Sequence, residues 1–125
     1  MALSAYQSTS PTVSTQEYSL AGASTGLQTL TDRGVYSLAI DVNALSTNET
    51  FLSQVYESAT SGGTKRVAKS WTLTSTFDDV TLLPENGGGL LLGRGWDWTI
   101  NRTTTTAGAS VPSNRALPYT LWRIS

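Results

Sequence analysis

Gly34-Val35-Tyr36-Ser37-Leu38-Ala39-Ile40-Asp41-Val42-Asn43 is the stretch that decides the fold. Tyr36, Leu38, Ile40 and Val42 recur with period two, with Val35, Ser37, Ala39 and Asp41 between them. Strict alternation of this kind predicts a strand with one face in a core. Three further segments repeat the signal. Val67, Trp71 and Leu73 alternate with polar residues, with Lys69 interrupting; Trp96, Trp98 and Ile100 alternate with Asp97, Thr99 and Asn101; and the final residues alternate Tyr119, Leu121 and Arg123 against Thr120, Trp122 and Ile124. Leu90-Leu91-Leu92 reads as a short buried run, and Gly93-Arg94-Gly95 as a bend before a strand.

The region from residue 46 to residue 60 supports two readings. Ser46-Thr47-Asn48-Glu49 has the spacing of a helix capping box, followed by Phe51, Leu52, Val55, Tyr56 and Ala59 at helical intervals. The rival is a strand that turns through Ser61-Gly62-Gly63-Thr64, where glycine tolerates the positive φ of a hairpin. Its β-branched and aromatic content favours the strand.

Composition agrees with an all-β chain. Of 125 residues, 16 are Ser and 20 are Thr, with 11 Gly, a blend suited to strands and tight turns. The expectation is a single antiparallel β-sandwich or jelly roll of about 7–8 short strands over residues 16–125. Residues 1–15 read as an extended, hydroxyl-rich N-terminal arm in which Pro11 blocks a helix. Leu3, Tyr6 and Val13 are sparse apolar content there, so the arm is expected to be ordered by a partner.

Composition also excludes chemistry. The chain has no Cys and no His, which removes Cys/His zinc sites, His-based acid–base catalysis, Cys and Ser–His nucleophiles and disulfides. A net charge of −1 lacks the electrostatic footprint of a nucleic-acid or anionic-membrane binder. No apolar run reaches the length of a membrane span, and the first residues lack the basic and apolar regions of a secretory signal. Asp78 and Asp79 are adjacent, so on a strand they point to opposite faces and in a turn they cap the backbone, which favours turn residues over a catalytic carboxylate pair; with Glu85 they are the candidate calcium ligands, but they lack the spacing of a calcium loop. An enzyme is therefore not expected, nor a cofactor or metal.

What remains is binding. Leu3, Tyr6, Pro11 and Val13 of the arm are the first candidate partner contacts. Trp96, Trp98, Arg102 and Arg115 are the second, because aromatics and Arg anchor interfaces. Trp96 and Trp98 have two readings: core filling in a chain with two Phe, or an exposed platform for sugar rings with Asp97 and Asn101 as polar partners.

The succession of a Ser/Thr-rich arm, the 34–42 strand, the Ser61–Arg66 hairpin segment, Gly95-Trp96-Asp97-Trp98-Thr99-Ile100 and the closing Tyr119-Thr120-Leu121-Trp122-Arg123-Ile124 resembles the small, Cys-free β-sandwich virion proteins of tailed bacteriophages. The resemblance implies a capsid decoration (cement) protein. It implies synthesis in the bacterial cytoplasm, residence in the virion, the major capsid protein as partner and self-association, with a trimer as the expected state. The alternative is a phage tail or fibre module, or a carbohydrate-binding module, that takes a glycan on exposed Trp and Tyr.

Overall fold

The computed structural model describes residues 3–60, 62–85 and 89–124. Among these residues the fold is all-β, and twelve strands form two five-stranded antiparallel sheets and one small two-stranded one. Eight strands have three residues or more: β1 (Leu3–Thr9), β5 (Gly34–Asp41), β6 (Glu49–Glu57), β7 (Arg66–Leu73), β8 (Val80–Leu83), β9 (Leu90–Leu92), β10 (Asp97–Thr105) and β12 (Tyr119–Ile124). The other four, β2 (Thr12–Val13), β3 (Tyr18–Ser19), β4 (Ser24–Thr25) and β11 (Arg115–Ala116), have two residues each and carry no periodic signal.

The first sheet runs β1-β12-β5, with β8 and β9 laid end to end along the free edge of β5. The second runs β4-β3-β10-β6-β7, and β11 pairs with β2 at the side. Tyr36, Leu38 and Ile40 of β5, Leu121 of β12 and Leu83 of β8 form one half of the core. Phe51 and Val55 of β6, Leu73 of β7, and Trp98 and Ile100 of β10 form the other. Each set recurs at every second residue, as a sheet with one inward face requires.

The 46–60 ambiguity resolves as a strand, yet half of the capping box is present. The Ser46 N–H donates to Glu49 Oε2 at 2.9 Å, although the chain then leaves as β6. Burial of Phe51, Ser53 and Val55 against the facing sheet outweighs the local helical option.

The arm is corrected. β1 pairs antiparallel with β12 from Leu3↔Ile124 to Thr9↔Tyr119, so the chain's own C-terminal strand orders it. The register slips between Ala5 and Gln7, and this bulge turns Tyr6 inward. Its ring meets Tyr36 edge-on at 5.3 Å and lies 6.0 Å from Trp96. Two other faces also depart from expectation. A slip opposite Val55/Tyr56 leaves Ala68 unpaired and flips Val67 away from the side of Trp71 and Leu73, leaving it 48% exposed. In β9, Leu92 is buried but Leu91 is 77% exposed, because a continuous apolar run in a strand sends alternate residues outward.

Candidate interaction surface

The eight contact candidates are not brought together. Trp96 and Trp98 are wholly buried, which corrects the platform reading. The Trp98 indole lies stacked 5.5 Å from Trp71 and donates to Ser53 Oγ at 3.0 Å. The Trp96 ring lies 4.4 Å from Tyr36, and its N–H donates to the Asp32 carbonyl. Neither ring can reach a sugar without opening the core. Between them, Asp97 faces the other way and is also buried. It accepts from Ser19 Oγ, the Gln28 N–H and its neighbour's N–H at 2.7–2.8 Å. Burial raises its carboxyl above the usual carboxylate range, and these bonds and Lys65 offset part of that.

Val13 is buried, and Arg115 pairs with it across the small sheet. Pro11 is half-buried, with its carbonyl accepting the Leu117 N–H at 3.0 Å. Arg102, expected as a surface contact, is buried. Its Nη2 lies 3.2 Å from Glu49 Oε1 and 2.7 Å from the Pro112 carbonyl, and its guanidinium covers Phe51 at 5.6 Å. Arg115 Nε lies 2.6 Å from Glu49 Oε2. Burial alone would push the Glu49 carboxyl up, but the Ser46 N–H and the two guanidiniums hold it below its ordinary value. This Arg–Glu–Arg cluster is a clasp between the sandwich and the strand-linking loop before β11. Of the eight residues, Leu3 alone is exposed.

Leu3 belongs to a surface that the sequence reading missed. The residues of β5 between the core positions, Val35, Ser37, Ala39 and Asp41, point outward. Their cross-strand partners are Ile124, Trp122 and Thr120 on one side and Leu91, Leu82 and Val80 on the other. Leu3 and Ala5 continue the rows beside Ile124 and Trp122. Leu3, Val80, Leu82 and Leu91 are 55–77% exposed. Asp41 is the one charged side chain among these outward positions, and it lies at the margin, accepting the Asn43 N–H. Four strand positions, with β5 eight residues long, span roughly 19 by 26 Å, on the order of 500 Å². Exposed apolar side chains grouped on one face in this way mark interaction sites. The signal was available: Leu82-Leu83 and Leu90-Leu91-Leu92 cannot hide every side chain in a strand.

Among the described residues, no three metal-ligating side chains converge. Compared with family models, with curated proteins and with solved structures, the chain matches none of them.

Proposed function

We propose that this chain is a structural protein of a tailed-phage virion, a capsid decoration protein that docks on the major capsid protein through the outer face of the β1-β12-β5-β8/β9 sheet. The observation that carries this reading is the face itself. It is nearly free of charge and studded with exposed Leu3, Val80, Leu82 and Leu91. A surface of that kind gains by being covered, through burial of apolar area at about 25 cal/mol per Å². It also carries almost no charge to repel identical neighbours on a lattice. The remaining resources of the chain go into rigidity: a core holding three buried tryptophans, a tied-down N-terminal strand and a buried ionic clasp. The tail or sugar-binding alternative loses its motive, since Trp96 and Trp98 lie in that core.

The docking reading departs from the resemblance in one respect. The N-terminal segment contributes as the border of the docking face, through Leu3 and Ala5, and not as a free arm. The test is titration of emptied heads of the cognate virion with the purified chain, followed by co-sedimentation. Saturation at a fixed number of copies per capsid subunit supports the proposal. Binding that never saturates, or no binding, refutes it.

A further inference from the structure

A second site lies away from the docking face, where three loops meet. Thr31 and Arg33 come from the β4–β5 loop, Thr60 and Lys65 from the β6–β7 turn, and Arg94 from the β9–β10 loop. Together they line a cleft of about 390 Å³, within the size range of small-ligand sites. The lining carries three cations and no carboxylate, in a chain whose net charge is −1.

The walls are built, not loose. Leu30 and Trp96 exchange both backbone hydrogen bonds, and the Ser58 N–H donates to the Arg94 carbonyl at 2.9 Å. Ser58 Oγ donates to the Gly63 carbonyl at 3.0 Å. Glu57, just outside the cleft, accepts the Gly93 and Arg94 N–H groups at 2.6 and 3.2 Å and pins that loop. Gly95 has φ +55°, and a Cβ there would lie 3.4 Å from Thr29 Cγ2, so the close loop approach favours glycine.

The three cations are not equivalent. Lys65 Nζ donates to the Gln28 carbonyl and to Thr29 Oγ1, and its charge acts on the buried Asp97. Among the described residues, the side chains of Arg33 and Arg94 have neither a hydrogen-bond acceptor nor an ion-pair partner. Two arginines without side-chain partners thus line a polar cleft whose walls also include Thr31 and Thr60. No aromatic residue lines it, so stacking on a neutral sugar is absent and charge would be the source of affinity. Guanidinium forks match the oxygens of tetrahedral oxyanions two at a time.

The geometry points to a binding site for a tetrahedral oxyanion, a phosphate or sulfate group carried by a larger ligand, held between Arg33 and Arg94 with Lys65 as the third positive charge. The test uses the full chain and two-dimensional amide NMR at constant ionic strength, with chloride as the background anion. Inorganic phosphate and inorganic sulfate are titrated separately, with acetate as a third arm. Saturable shifts at Gly62, Gly63 and Gly93–Gly95 with phosphate or sulfate support the site, and the stronger of the two names the group. Arg33→Gln/Arg94→Gln is expected to weaken that binding at least about tenfold, since each arginine supplies charge-assisted bonds. Lys69→Gln, which removes one positive charge on β7 outside the cleft, is expected to leave it unchanged. Equal losses in the two variants would reduce the effect to net charge and overturn the proposal. So would non-saturating shifts, which indicate an adventitious ion only, or acetate binding as strongly as phosphate or sulfate.

Discussion

Neutralising Glu49 tests the clasp at its centre. The Glu49 side chain is fully buried, and that of Arg102 is 5% exposed. Glu49→Gln keeps the shape but leaves the Arg102 charge without its carboxylate, while Arg115, at 19% exposed, can turn to water. Breaking a buried pair from one side costs about 3–5 kcal/mol. With a urea dependence of about 1.5 kcal/mol per M for a domain of this size, the unfolding midpoint falls by about 2–3 M. Arg102→Met costs less, about 1–2 kcal/mol, because Glu49 keeps Arg115 and the Ser46 N–H, and the exposed Pro112 and Ser113 carbonyls return to water. In the Glu49→Leu/Arg102→Met double variant no unpaired charge stays buried, so its cost is below the sum of the singles. The folded-state pKa of Glu49 is depressed from 4.5. Its contribution is therefore complete above about pH 4.5 and disappears as pH falls through the lower folded value. Tryptophan-monitored urea unfolding at pH 7 and pH 3 reads all of this. A midpoint shift below about 0.5 M for Glu49→Gln at pH 7, or strict additivity in the double variant, would refute the reasoning.

Three further outcomes are expected. Tyr6→Ala costs about 2 kcal/mol because the bulge buries part of its ring against Tyr36 and Trp96, while Leu3→Ala costs under about 0.5 kcal/mol; equal costs in thermal unfolding would place Tyr6 outside the core. Burial raises the phenols of Tyr6, Tyr36 and Tyr119 and pushes Tyr56 up to about 12, so Tyr6, Tyr56 and Tyr119 stay un-ionised at pH 10 in an ultraviolet titration, and stability falls as pH rises above 10; more than two phenols ionised at pH 10 in folded protein would contradict it. Asp97→Asn disrupts the acceptor set for Ser19, Gln28 and Trp98 at a cost of about 1–3 kcal/mol. Because the folded-state pKa of Asp97 is raised, wild-type stability falls as pH rises through that value, and the gap to Asp97→Asn is widest below about pH 4. A gap that widens with pH would reverse the sign argued for this group.

Periodicity carried most of the fold. The 34–43 alternation placed Tyr36, Leu38, Ile40 and Val42 correctly in the core, because a two-residue repeat with one buried face has a single solution. The same rule reaches further than it was taken. Arg102 stands two residues after Ile100 and Glu49 two before Phe51, so parity puts both on inward faces, where opposite charges must meet. Register slips were not legible. The bulges at Tyr6, Ala68 and Thr103 depend on pairing with distant strands, and the slip at Ala68 reversed the expected side of Val67. The arm misled for a related reason. Its strand propensity is modest, and its order comes from β12, more than a hundred residues away in sequence. The basic cleft was invisible because Arg33, Lys65 and Arg94 lie on three separate loops, and no local pattern joins them.

The proposed docking face is tested most directly by the affinity of Leu82→Glu/Leu91→Glu for emptied heads, measured beside the wild-type chain. Both side chains are exposed, so folding and the urea midpoint stay within about 0.5 kcal/mol of wild type. Two carboxylates driven into an apolar joint leave buried, unpaired charge, and head binding is predicted to fall at least about a hundredfold. A folded variant that saturates the heads with wild-type affinity would contradict the assignment of this face.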